Sequence, residues 1–229
     1  MGKLYVVPTP IGNLEDITLR ALRVLREADV IFAEDTRTTS VLLKHFGIQT
    51  PLRSYHMHNE HQITAHLLSV LAGEVTAALV SDAGTPGISD PGFLLVRACI
   101  HRGIQVECLP GATAFVPALI ESGFPCESFV FMGFPPAKKG RKTFFRSLVD
   151  RNETIVLYES PHKIEKTLRD LADVLGMDAE VSLSREISKK FHQTLRGSVE
   201  DLMKTVENNP LKGEMVLVIG RRSQRKNME

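Results

Sequence analysis

Two α/β domains in tandem, the first on a mostly parallel sheet and the second on a mixed one, are the architecture predicted by this 229-residue sequence. Three observations predict it. Apolar runs of strand length alternate with helical segments through the first half, as in a parallel sheet covered on both faces by helices. Long loops rich in Gly and Pro follow those runs, where an open α/β sheet binds its ligands. After residues 115–125 the texture changes to closely spaced strands around fewer helices. We place the domains at 1–117 and 118–229.

The elements follow in order. Residues 4–7 form a short apolar run that ends at Pro8. Asp16 then reads as the cap of a helix whose apolar residues Leu19, Leu22 and Leu25 recur every three positions. Residues 30–33 are the next strand, and 36–46 a helix that Gly47 ends. Residues 60–72 are helical, stopped at Gly73. Residues 75–80 are nearly all apolar, as a strand buried on both faces should be. Helix 91–102 ends at Gly103, and 104–109 is a further strand. A helix to about Ser122 precedes the β-rich run 128–134 and a basic loop. Strand 154–158, helix 161–175, strands 179–184 and 191–196, helix 198–207 and strand 214–219 complete the chain.

Composition narrows the function. Apolar residues make up 43% of the chain and charged residues 24%, which is globular rather than disordered. No apolar run approaches the ~18 residues of a membrane span, and the first residues lack a signal peptide's apolar stretch. The three cysteines, Cys99, Cys108 and Cys126, have no paired spacing and read as reduced, mostly buried thiols of a cytoplasmic protein. Lys plus Arg total 28 and Asp plus Glu 27, so the net charge of +1 excludes a general nucleic-acid coat. The balance is uneven along the chain. Lys138, Lys139, Arg141, Lys142, Arg146 and Arg151 face a single acid, Asp150, between residues 133 and 151. Such a stretch is either a solvated face or a phosphate contact. A second basic cluster, Arg221, Arg222, Arg225 and Lys226, lies at the carboxy terminus.

The chemistry concentrates in four loops at strand ends: 8–13, 34–37, 81–92 and 109–114. None matches GxGxxG or GxxxxGK[ST], so neither a dinucleotide fingerprint nor a P-loop is present. Loop 81–92 (Ser-Asp-Ala-Gly-Thr-Pro-Gly-Ile-Ser-Asp-Pro-Gly) holds three Gly and two Pro, which allow close backbone approach on a rigid path. With Asp82 and Ser89 it suits a polar, mostly uncharged ligand such as a nucleoside or amino acid. Glu34-Asp35-Thr36-Arg37 sets two acids and a base at a strand end. Asp35 either caps the following helix with Arg37 paired to it, or the group orients substrate and takes a proton. His56, His58 and His61 have H-x-H-x-x-H spacing, but with no cysteine nearby they read as a polar wall rather than a metal site.

Several motifs carry a resemblance. Val7-Pro8-Thr9-Pro10-Ile11-Gly12-Asn13-Leu14, Glu34-Asp35-Thr36-Arg37 and residues 81–92 resemble the tetrapyrrole methylase superfamily of S-adenosylmethionine-dependent methyltransferases. Tyr158-Glu159-Ser160-Pro161-His162-Lys163, residues 184–191 and 213–218 are similar to the branch that methylates ribose 2'-oxygens of small-subunit ribosomal RNA. Met57, Lys163 and Thr113 stand where that branch commonly has Glu, Arg and Ser. The resemblance implies the tetrapyrrole methylase fold: a Rossmann-like amino-terminal sheet, a mixed carboxy-terminal sheet and S-adenosyl-L-methionine between the domains. It implies cofactor contacts from Pro8, Pro10, Gly12, Asp82, Ala83, Gly84, Ile88, Ser89, Thr113 and Ala114, and from Tyr158, Ser160, Pro161 and Met215. It further implies 2'-O-methylation of a cytidine in the decoding region of 16S rRNA, the 30S subunit as partner, a homodimer and no metal.

The ribose hydroxyl needs a base. Glu34, Asp35 and Glu186 are candidates, with Lys163, Lys189 or Lys190 as alternatives if burial lowers a lysine's pKa. Arg37 is a candidate phosphate holder. Lys138, Lys139, Arg141, Lys142 and Arg146 are the candidate RNA contacts. Two other readings stay open: methylation of a tetrapyrrole or other small molecule, and a non-enzymatic nucleotide-sensing or RNA-binding protein on the same fold.

Overall fold

Residues 2–56 and 60–220 are described by the structure, a computed structural model, with the side chains of His61 and Gln62 excepted. The chain divides into two compact units, Met1–Thr113 and Ala114–Glu229.

The first unit runs β1 (Lys3–Val6), α1 (Leu19–Glu27), β2 (Val30–Ala33), α2 (Thr36–His45), β3 (Leu52–Ser54), α3 (Glu60–Leu71), β4 (Thr76–Val80), α4 (Phe93–His101) and β5 (Gln105–Cys108). The strands pair in the order β3-β2-β4-β1-β5, all parallel. Both faces are covered, and the period of two assigns neighbours to opposite sides. Ala78 and Val80 pack with Ala21, Leu22, Val24 and Leu25 of α1 and Leu43 of α2. Ala77 and Leu79 pack with Leu67, Leu68 and Leu71 of α3 and Leu95 and Cys99 of α4. That double burial explains the unbroken apolar run of β4.

The second unit runs α5 (Phe115–Ser122), β6 (Phe129–Phe131), α6 (Arg141–Arg146), β7 (Thr154–Glu159), α7 (Ile164–Leu175), β8 (Glu180–Arg185), β9 (Gln193–Ser198), α8 (Val199–Asn208) and β10 (Met215–Ile219). Its sheet order is β6-β7-β10-β8-β9, parallel between β6 and β7 and antiparallel elsewhere. Ile155, Leu157, Leu183, Leu217 and Ile219 form one core with Leu168 and Leu171 of α7 and Leu202 and Val206 of α8. A reciprocal box of Ser198 and Asp201 starts α8. None of the described helices is long and apolar enough to cross a membrane.

Several expectations need correction. Asp16 does not cap α1. It lies in a 3-10 turn, Leu14–Asp16, and the cap is Thr18, whose hydroxyl accepts from Ala21 N at 3.0 Å. Leu19 is 87% exposed, so the buried stripe is Ala21, Leu22, Val24 and Leu25 rather than the three-residue Leu repeat. Strand β3 matches the strand end read before the helix at Glu60, but its bounds were not legible because three residues, Leu-Arg-Ser, are too few to show a period. Helix α7 begins at Ile164, not at Pro161. Cys99 is buried, whereas Cys108 is exposed and Cys126 half-buried; all three are free thiols. Arg221, Arg222, Arg225 and Lys226 lie outside the described residues.

Arg141 is the main correction to the basic stretch, because it is only 5% exposed. Its guanidinium donates to Asp170 at 2.6 Å, to Thr167 Oγ1 at 2.8 Å and to the Pro136 carbonyl at 3.1 Å, and lies over the Phe145 ring. A guanidinium with five fixed donors suits such enclosure. Arg141 therefore pins the loop from Pro136 onto α7 and is not available to RNA. Removing one partner of a fully enclosed pair costs about 3–5 kcal/mol, and less here because Asp170 keeps some solvent contact. Arg141→Ala should lower unfolding free energy in urea by about 2–3 kcal/mol. Arg141→Lys should recover only part of that loss.

Candidate functional site

In the first unit the parallel sheet brings the carboxyl ends of β1, β2, β4 and β5 to one edge. The loops there are sewn to one another. Thr9 and Gly84 exchange two backbone hydrogen bonds of 2.9 Å. Thr9 Oγ1 donates to the Ser81 carbonyl at 3.1 Å, and Thr85 Oγ1 donates to the Ala112 carbonyl at 3.1 Å. A Cβ at Gly111 would lie 2.6 Å from Pro8 Cβ, so only glycine lets these loops touch. Thr9, Ser81, Thr85 and Gly111 thus join the loops; they lie inside the loops singled out in the sequence but are not among the contacts named there. The available signal was their position: small or hydroxylated residues beside the glycines and prolines.

Loop 81–92 follows a left-handed path. Gly84, Gly87 and Gly92 have φ of 81°, 84° and 144°, and Ser89 has 67°. A non-glycine in that region costs of order 1 kcal/mol and persists only where the surroundings over-determine it. Such strain clusters at ligand-binding loops.

The structure divides the expected cofactor residues. Pro8 and Gly84 are buried and serve as struts, while Gly12, Asp82, Ala83, Ile88 and Ser89 are exposed. Pro10 and Thr113 are half-buried. Ala114 opens the second unit, immediately before α5.

The acids sort themselves by environment. Asp35 caps α2, accepting from Arg37 N at 2.8 Å, and pairs with the Arg37 guanidinium at 2.6 Å. The Arg37 side chain and then its backbone N–H hold the Asp35 carboxyl down at about 2. Asp35 thus serves as the capping anion of α2, with the exposed Arg37 side chain paired to it. Burial pushes the Glu34 carboxyl above the ordinary range, and the nearby Asp82 charge adds to the rise. Asp82 Oδ1 in turn accepts from Asp35 N at 3.0 Å, tying the loop after β2 to the loop after β4. His56 is half-buried just beyond β3, while His58 and the His61 side chain lie outside the described residues.

In the second unit one sheet edge collects the remaining candidates. Met215 pairs with Glu159 on one side and Arg185 on the other. Glu186 N donates to the Glu214 carbonyl at 2.9 Å. Met215 is thereby flanked by the strand ends that precede Ser160 and Glu186. Glu159, 2% exposed, fixes the turn: one carboxyl oxygen accepts from Ser160 N at 2.8 Å and the other from the Thr167 hydroxyl. Burial works against the Glu186 charge, but hydrogen bonds from Lys189 and Glu214 N outweigh it and hold its carboxyl below the ordinary range. Burial likewise opposes the Lys189 charge, yet bonds to Glu214 and Glu186 at 2.8 and 3.1 Å raise its pKa. Lys189 is a cation at neutral pH, so it is not the lowered-pKa base that the sequence left open. A Cβ at Gly213 would strike the Glu186 carboxyl at 2.4 Å.

Of the basic stretch, Lys138, Lys139, Lys142 and Arg146 are exposed. The sequence places no acid between residues 133 and 149 to oppose them.

The Glu34 environment has a measurable consequence. The folded protein holds the Glu34 proton more tightly than the unfolded chain, so stability falls as pH rises from the unfolded pKa through the folded one. Glu34→Gln removes that component. The variant should unfold at higher denaturant than wild type at neutral pH, and the difference should fade in acid. Carbon-13 NMR titration should place the Glu34 midpoint above that of ordinary glutamates, and Asp82→Asn should bring it down.

Residues 3–203 match the family model for tetrapyrrole (corrin/porphyrin) methylases. Among relatives named ribosomal RNA small subunit methyltransferase I, that of Halalkalibacterium halodurans is 48% identical over 95% of this chain and 75% of its own length. That of Thermotoga maritima is 45% identical over 96% of this chain and 98% of its own. That of Escherichia coli O157:H7 is 47% identical over 99% of this chain and 81% of its own. The solved uroporphyrin-III-C-methyltransferase from Thermus thermophilus superposes with a TM-score of 0.67 and 25% identity, over 96% of this chain and 94% of that one. A diphthine synthase shares the fold at a TM-score of 0.73 and 14% identity, over 96% and 90%.

Proposed function

The chain belongs to the tetrapyrrole methylase family and is a methyltransferase, and on that premise we propose that it methylates small-subunit ribosomal RNA from S-adenosylmethionine. The finer reading is a cytidine ribose 2'-oxygen in the decoding region. One observation carries the choice of acceptor. Relatives named as ribosomal RNA small subunit methyltransferase I match nearly the whole chain at 45–48% identity, against 25% for the uroporphyrin enzyme.

The loops of the first unit fit the cofactor. A ligand meeting the exposed stretch Asp82, Ala83, Ile88 and Ser89 finds one carboxylate and a backbone held open by left-handed residues. That set suits hydroxyl and amine groups rather than a polyphosphate, which wants several cations. When bound, S-adenosylmethionine supplies an electrophilic methyl on a sulfonium whose sulfur leaves as a neutral thioether.

The protein's remaining task is to position the ribose and relieve its hydroxyl of a proton. Glu34 is the carboxylate suited to it. It is half-buried beside Asp82, and its affinity for a proton is raised. Asp35 and Glu186 are held as anions by their partners. Lys138, Lys139, Lys142 and Arg146 would meet RNA phosphates, each contact releasing counterions.

The test is tritiated methyl transfer to small subunits lacking the modification, with porphyrin precursors as competing acceptors. Label in RNA, at a single site resistant to alkaline cleavage, is the expected result; label only in the porphyrin would overturn the reading. Glu34→Gln should lower kcat by about 10²–10⁴-fold with cofactor affinity unchanged in calorimetry. Replacing Lys138, Lys139 and Lys142 with Ala should weaken subunit binding and flatten its salt dependence. Full-strength binding would remove the patch from the mechanism.

A further inference from the structure

The basic stretch begins beside an aromatic side chain that the fold leaves uncovered. Phe134 is 57% exposed. Its backbone is held on both sides. The pairing of β6 with β7 continues through Met132 N to the Val156 carbonyl and Tyr158 N to the Gly133 carbonyl, both 3.0 Å. Buried Pro135 and then Pro136 follow, fixing φ on the other side. The ring rests against Tyr158, with centroids 5.5 Å apart. Tyr158 meets Phe131 edge-on at 4.9 Å, and Phe131 stacks on Phe115 at 4.8 Å. Phe134 is the exposed end of a four-ring ladder.

Single exposed apolar side chains are ordinary, and Leu19, Val41 and Phe191 are more exposed still; Phe134 differs in being a ring fixed on a ladder of rings next to a basic run. Exposed Lys138 and Lys139 follow within five residues, and no acid intervenes. Anion-attracting charge beside a preordered aromatic face is the chemistry that binds unpaired nucleic acid: cations take phosphates and the ring takes a base. A base inside a duplex is already stacked and offers no face. We infer that Phe134 stacks on an unpaired base of the RNA substrate and so positions the strand whose phosphates Lys138 and Lys139 hold. This rests on the ribosomal RNA reading for its substrate, but it has its own readout.

The sequence contains no Trp, so Phe134→Trp installs a single indole reporter. Titration with an unpaired RNA oligonucleotide should quench its emission, and the quench at saturation should survive added salt. Phe134→Leu, which keeps apolar bulk and removes the ring, should raise KM for unmethylated small subunits roughly 5- to 150-fold. Its kcat, salt slope and cofactor dissociation constant should stay near wild type, and Phe134→Trp should retain low KM. If Phe134→Leu loses thermal stability, the comparison passes to Phe134→Trp and Phe134→Tyr, which preserve the ladder. An unchanged KM with Leu overturns the inference. So does quenching by S-adenosylmethionine and not by RNA, which would assign the ring to the cofactor. Should wild type methylate no RNA while the indole is still quenched by it, the stacking stands and the functional reading falls.

Discussion

The two backbone hydrogen bonds between Thr9 and Gly84 are the central seam between the loops at the carboxyl edge of the first unit's sheet. A parallel sheet delivers its strand ends to one edge but leaves the loops there with unpaired amides and carbonyls, which must find partners or water. Here the loop after β1 and the loop after β4 pair with each other, and Thr9 and Thr85 hydroxyls extend the seam to Ser81 and Ala112. Three loops become one rigid rim. The glycines that permit this are dictated by contact: Gly111 by Pro8, and Gly92 by the Leu79 side chain and Gly87 N.

On that rim, adjacent acids have opposite characters. Glu34 and Asp35 are neighbours in sequence, yet burial lifts one while Arg37 and a helix cap lower the other. The helix start is the cause. Asp35 turns its carboxylate onto the Arg37 amide of α2, while Glu34, one residue earlier, is half-buried near Asp82. Two neighbouring carboxyl groups pushed apart in this way differ in their hold on a proton, one kept as the anion of a helix cap and the other inclined to keep its proton.

Much of this was legible in the sequence, for physical reasons that differ by element. Buried β4 announces itself as an apolar run because both of its faces need covering. Loop 81–92 announces itself because left-handed backbone and rigid turns demand Gly and Pro. The alternative roles of Asp35 were visible together, and geometry chose the cap. Other features were hidden. Thr18 and Asp16 are both good caps, and only the path of the chain after the 3-10 turn selects between them. Leu19 follows a plausible three-residue repeat but points outward. β3 exists through its pairing with β2 rather than through its own residues. Nothing local distinguishes Arg141 from Lys142, because the partner that encloses it, Asp170, lies 29 residues away.

That enclosure has a bearing on how function would be mapped. Arg141 donates to Thr167, whose hydroxyl donates to Glu159, whose other oxygen accepts from Ser160 N. An alanine scan along the basic run would score Arg141 as its most severe position, through loss of folded protein and a displaced Ser160 turn. Read as a contact map, such a scan would assign ligand contact to a cation that the protein itself encloses. Only a scan normalised to the folded fraction ranks these side chains by what they touch.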